Sequence, residues 1–90
     1  MSSGWTLNFG PRARKALRRI DRTAAARIVR WLEQLIVERG EPRSSGKALS
    51  GPLGQFWRYR IGDYRVIVLI EDGSATVLVV EIGHRGEVYR

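Results

Sequence analysis

The stretch WRYRIGDYR, residues 57–65, sets Arg58, Arg60 and Arg65 around a short turn, and EIGHRGEVYR, residues 81–90, adds His84, Arg85 and Tyr89. Guanidinium groups are planar forks of donors that grip phosphate oxygens and keep their charge. A histidine exchanges protons near neutrality, and an aromatic ring offers a face on which a base can stack. Together these groups suit cleavage of RNA without a metal. In that reaction the ribose 2′-hydroxyl loses a proton, negative charge grows on the phosphorane oxygens, and the 5′-oxygen leaves with a proton.

Each residue also has a plainer reading. A single surface arginine ordinarily extends into solvent or pairs with a carboxylate, here Glu71, Glu81 or Glu87. A lone histidine in a polar turn ordinarily hydrogen-bonds that turn, and a tyrosine near a terminus can clip the chain down. Position favours the functional reading. Side chains alternate across a strand, so Trp57, Tyr59 and Ile61 share one face and Phe56, Arg58 and Arg60 the other. If Gly62-Asp63 is a two-residue turn, Ile61 sits opposite Tyr64, Tyr59 opposite Val66, and Arg60 directly across from Arg65. Like charges facing each other in a sheet cost about half a kcal/mol, a pairing that a fold alone has little reason to select. A slip of one residue would scatter the set over both faces.

These residues need a frame. Trp5, Leu7 and Phe9 alternate with Thr6 and Asn8 as in a half-buried strand, broken by Gly10-Pro11. From Pro11, the apolar positions Ala13, Ala16, Leu17 and Ile20 fall at helical spacing, with Arg12, Arg14, Lys15, Arg18 and Arg19 opposite. Asp21 is suited to cap a second helix whose stripe is Ala24, Ile28, Trp31, Leu32, Leu35 and Ile36, ended by Gly40 and Pro42. Trp31 and Trp57 are expected in the core. Residues 41–54 read as a loop. Three strand-like runs follow, QFWRYRI, DYRVIVLIE and ATVLVVEI, separated by the turn pairs Gly62-Asp63 and Asp72-Gly73. The expectation is an α+β fold: an N-terminal strand, two helices, then a three-stranded antiparallel meander with both helices on one face of the sheet. The last strand, apolar on both sides, should be central, so that His84, Arg85 and Tyr89 emerge at its end beside the arginine face.

Ninety residues are expected to form one domain spanning 1–90, with a hydrophobic fraction of 43% that is ordinary for a globular chain. The net charge of +7 comes from sixteen Lys plus Arg, fourteen of them arginine, against nine Asp plus Glu. That balance favours a polyanionic partner, either nucleic acid or an acidic protein segment. The absence of cysteine excludes disulfides, thiolate metal sites and a cysteine nucleophile, and a single histidine excludes a multi-histidine metal site within the chain. No cofactor is expected. The longest apolar run, Val66 to Ile70, cannot span a bilayer, and MSSGWTLNFG lacks an apolar signal core, so a cytoplasmic protein is expected.

GKALSGPLGQFWRYRIGDYRVIVLIEDG followed by VVEIGHRGEVYR resembles the RelE/ParE superfamily of toxins from type II toxin–antitoxin pairs, over nearly the whole chain. The resemblance implies a RelE-like fold and an mRNA interferase that cuts the codon in the ribosomal A site by 2′-hydroxyl attack, leaving a 2′,3′-cyclic phosphate. It implies that Arg65 stabilises the transition state, Arg85 protonates the leaving group, and Tyr89 orients or stacks on the substrate. Arg58 and Arg60 stand where the best-known RelE enzymes carry lysines. Arginine seldom gives up its proton, so these two, with Lys47, are expected to bind substrate phosphate. His84 is then the one ordinary proton acceptor in the set. The superfamily also includes ParE-like toxins that inhibit DNA gyrase by binding, and an inert nucleic-acid-binding module is a third possibility. Either toxin implies an acidic RelB-like antitoxin, with the ribosome and mRNA as further partners of the nuclease. Leu17 and Ile20 could extend an apolar groove to that antitoxin, which could act by displacing the short C-terminal tail.

Overall fold

The computed structural model describes residues 2–84. Its strands are β1 (Thr6–Phe9), β2 (Lys47–Ala48), β3 (Phe56–Ile61), β4 (Tyr64–Glu71) and β5 (Thr76–His84), and its helices are α1 (Pro11–Arg19) and α2 (Arg22–Leu32). The strands form one mixed sheet in the order β1-β5-β4-β3-β2, and α1 and α2 pack on one of its faces. The expected α+β class and the antiparallel β3-β4-β5 meander are present. Two pairings extend the expectation. β1 joins as an edge strand parallel to β5, and Lys47–Ala48, inside the stretch read as a loop, pairs antiparallel with β3. β4 is therefore the middle strand, and β5 is internal between β1 and β4.

Local chemistry sets the helix ends. Pro11 opens α1, and Asp21 caps α2, its Oδ2 accepting the Ala24 N–H at 3.1 Å. Beyond Leu32 the helix widens into a π-helical stretch, Glu33–Glu38, where the Arg39 N–H reaches back to the Gln34 carbonyl at 3.1 Å. Carbonyls near its end are met from outside: Ser3 donates its N–H to Val37 at 2.7 Å and its hydroxyl to Ile36 at 3.0 Å.

The core lies between the helices and the covered face of the sheet. Ile28, Leu32, Leu35 and Ile36 meet Tyr59, Ile61, Val66, Val68, Val77, Val79 and Ile82, while fully buried Ala13 lets α1 lie close to β5. Each large buried side chain contributes about 1.5–3 kcal/mol. Trp31 is only half-buried, its ring 5.1 Å from that of Tyr59 in a tilted stack.

The two hairpins differ. Gly62, at φ +60, begins a two-residue turn, and the register is the expected one: Ile61 opposite Tyr64, Tyr59 opposite Val66, Arg60 opposite Arg65. The second turn is longer than the Asp72-Gly73 pair suggests. Glu71 faces Thr76 across a four-residue connection whose last residue, Ala75, is left-handed. Farther along, Ile67 faces Glu81 while Val68 faces Val79, so Val80 is an extra residue in a bulge. Among the described residues no helix is long and apolar enough to cross a membrane.

Candidate active site

The pleat of β3 turns Tyr59 and Ile61 into the core and leaves Arg58 and Arg60 on the helix-free face. Strand pairing then aligns four cations. Lys47 faces Arg58 across the β2–β3 pair, and Arg60 faces Arg65 across the β3–β4 pair. Directly opposed residues share a face, so all four stand on one side of the sheet. The Arg60–Arg65 juxtaposition costs about 0.2–1 kcal/mol. The ion pairs among the described residues join Arg12 to Glu81, Arg39 to Glu41 and Arg43 to Asp72; Lys47, Arg58 and Arg60 enter none of them.

Lys47 reaches this row because the preceding loop is latched to β3. The Tyr59 hydroxyl donates to the Pro42 carbonyl at 2.5 Å, and Trp57 Nε1 donates to the Ser45 carbonyl at 2.7 Å. Burial pushes the Tyr59 phenol well above its ordinary pKa, so it remains a neutral donor. Arg43 grips Asp72 with two nearly parallel bonds of 2.8 and 2.9 Å, tying the loop to the β4–β5 turn. Between these anchors Gly46 takes φ +85, where a Cβ would lie 2.3 Å from the Arg58 carbonyl. Only glycine allows that approach, which sets Lys47 in register with Arg58. Trp57, expected in the core, is half-buried against it and serves the loop with its ring nitrogen.

Two adjoining depressions lie along the row. One, of about 250 Å³, is lined by Ser45, Gly46, Lys47, Arg58 and Arg60. The other, of about 130 Å³, is lined by Arg60, Gly62, Asp63, Tyr64 and Arg65. Arg60 belongs to both, so the cationic surface is continuous. In a partly desolvated setting, a phosphate about 4 Å from such a charge interacts with it at about 4 kcal/mol. The arrangement can hold a polyanion and stabilise charge that grows on it.

Of the residues singled out from sequence, Lys47, Arg58, Arg60 and Arg65 come together. His84 does not join them. Its strand partner is Tyr64, on the helix side, and its ring meets the Tyr64 ring edge-on at 5.1 Å; Gly83, without a side chain, is the residue opposite Arg65. The bulge at Val80 is the physical reason. It advances the alternation by one residue, so Val77, Val79 and then Ile82 are buried, and His84 follows Ile82 onto the helix side. Arg85 and Tyr89 lie outside the described residues. Two contributors escaped sequence reasoning, Trp57 as the latch and Asp63 as a carboxylate among the cations. For Asp63 the signal was present in its turn position between Arg60 and Arg65.

A two-helix layer on a mixed sheet, with cations aligned on the open face, defines a small α+β protein with a cationic sheet surface. Comparison with known proteins gives the family: residues 7–89 match the ParE toxin of the type II toxin–antitoxin system parDE, and the chain belongs to this family within the RelE/ParE superfamily of type II toxins. It is 29% identical over 86 residues to toxin RelG of Mycobacterium tuberculosis, covering 96% of this chain and 97% of the relative. The fold superposes on the toxin–antitoxin complex RelBE2 from M. tuberculosis with a TM-score of 0.81 at 30% identity, covering 91% of this chain and 99% of that one. The isolated RelE toxin of E. coli shares the fold at TM-score 0.72 and 24% identity, covering 94% of this chain and 90% of that one.

Proposed function

We propose that this toxin is an endoribonuclease that cuts mRNA on the ribosome by attack of the ribose 2′-hydroxyl, without a metal. The observation that carries the reading is the row of Lys47, Arg58, Arg60 and Arg65 on the helix-free face. Lys47 and Arg58 bind backbone phosphate. Arg60 and Arg65 surround the scissile phosphate, with Arg65 stabilising the charge of the transition state. Arg85 protonates the leaving oxygen and Tyr89 orients the substrate; both assignments rest on the family resemblance. His84, opposite Tyr64 and one residue past the partner of Arg65, turns to the helix side of the sheet and is given no proton to carry. Primer extension on mRNA from cells expressing the protein, with Arg65→Ala and Arg85→Ala as controls, tests the reading. Cuts inside translated frames that vanish in both variants are the expected result, and intact mRNA beside growth arrest defeats it.

The family match to ParE toxins supports a second reading, inhibition of DNA gyrase by binding. Loss of gyrase supercoiling in the presence of the protein, with ribosome-bound mRNA intact, would favour it over the nuclease.

Either function calls for an acidic RelB-like antitoxin, a partner consistent with the similarity to the RelBE2 complex. A groove of about 530 Å³ is lined by the apolar Leu17, Ala25, Ala26 and Val29, the cations Arg22 and Arg30, and Glu33, and its apolar and cationic share suits an acidic amphipathic helix. Leu17 and Ile20 both pack against the core, and of the two Leu17 also lines the groove. Amide exchange of the toxin alone and with antitoxin tests whether the groove and the C-terminal tail are protected.

A further inference from the structure

We infer that Asp63 is the general base of the cleavage reaction, an inference that rests on the endoribonuclease reading. The cationic row has no acceptor of its own, because ammonium and guanidinium groups only donate. The one histidine stands across from Tyr64 on the helix side. The β3–β4 turn supplies what is missing. Asp63 lines the same depression as Arg60 and Arg65, and among the described residues it is the one carboxylate lining either depression along the row.

The backbone holds that carboxylate in a defined position. Gly62 adopts φ +60, and Ile61 and Tyr64 pair on either side, so Asp63 sits at a rigid hairpin end rather than in a long loop. Arg27 of α2 leans on Gly62, its Nη1 3.2 Å from where a Cβ there would lie, so the turn has a cation beside it as well as the row. Asp63 is exposed and enters none of the ion pairs among the described residues, leaving its oxygens open to a ligand.

In the step, a carboxylate oxygen of Asp63 takes the 2′-hydroxyl proton as O2′ bonds to phosphorus. Arg60 and Arg65 hold the charge gathering on the non-bridging oxygens. The P–O5′ bond breaks with its electron pair on O5′, which takes up a proton from water. The products are a 2′,3′-cyclic phosphate and a 5′-hydroxyl, and Asp63 returns its proton to solvent.

Aspartate also simply suits a turn, but asparagine suits this one equally well. Asp63→Asn therefore separates the two roles. In single-turnover cleavage on ribosomes programmed with mRNA, Asp63→Asn should slow cutting by about 10²- to 10⁴-fold. The half-saturating toxin concentration should stay the same or fall, since a negative charge beside phosphate has been removed. The thermal midpoint should not move, and Asp63→Glu should recover part of the rate. Cleavage by Asp63→Asn at the wild-type rate overturns the inference, as does a loss appearing only in binding or in thermal stability. If Arg65→Ala abolishes cleavage while Asp63→Asn cuts normally, Asp63 alone loses its role; if the wild-type protein leaves mRNA intact, the endoribonuclease reading and this inference fall together.

Discussion

The two faces of the sheet share strands and pleat, yet they answer to different physics. On the helix side, Tyr59, Ile61, Val66, Val68, Val77, Val79 and Ile82 are all buried and fit one another by volume. On the open side, one residue out of phase, Arg60 faces Arg65 and Lys47 faces Arg58, an arrangement that works against folding and in favour of binding anions. Between them, along β3, polarity switches at every residue from Trp57 to Ile61. Core and cationic side chains are thus interleaved in one short stretch and can be altered separately, because neighbouring side chains point to opposite faces.

The sharpest way to break that separation begins in the core. Leu32→Ala, at a fully buried position, should cost about 2–5 kcal/mol in urea unfolding, a large share of a total of about 5–15 kcal/mol. Molecules that remain folded should cut at the wild-type rate. Arg65→Ala should do the reverse, lowering single-turnover cleavage by about 10²- to 10³-fold with the unfolding midpoint unchanged. His84→Ala, on the other face, should lower it by less than about tenfold, below the usual worth of a general base. A cleavage defect in His84→Ala as deep as that of Arg65→Ala would show that the two faces are not functionally separate.

These contrasts also show what the sequence made legible. The β3–β4 register followed from Gly62-Asp63 and from the alternation on each side of it, so the alignment of Arg58, Arg60 and Arg65 was visible in advance. The position of His84 was not. In ATVLVVEI nearly every residue is apolar, so nothing in the pattern marks Val80 as the residue that drops out of register. β2 was hidden for a different reason. Two residues carry no periodicity, and the pairing of Lys47 depends on Gly46, Trp57 and Tyr59 meeting across a gap in sequence.

That latch gives a smaller, more local test. Trp57→Phe keeps an aromatic ring against the core and removes the Nε1 donor to Ser45 with part of the indole, so it should cost at least about 0.5–1.5 kcal/mol, the share of the hydrogen bond. If the bond positions Lys47, the amides of Lys47 and Leu49 should exchange faster in the variant, and RNA binding should weaken as it does in Lys47→Ala. Combining the two substitutions should add little further loss in binding. Full additivity would mean that Lys47 finds Arg58 without help from the loop.

The smallest effect is expected at the outer anchor. Arg43 holds the Asp72 carboxyl below its ordinary value of 3.8, chiefly through hydrogen bonding. A carboxyl depressed in the folded state adds stability that is fully present above its unfolded value and is lost as pH falls through the folded one. Both side chains are exposed, so solvent and salt screen the pair, and the gain over Asp72→Asn should be slight. The difference in thermal midpoint between wild type and Asp72→Asn should therefore hold steady from neutrality down to about pH 4, shrink below it, and narrow with added salt. A difference that survives at about pH 2 would assign the contribution of Asp72 to the backbone of the β4–β5 turn rather than to its charge, leaving Trp57 and Tyr59 to hold the loop without it.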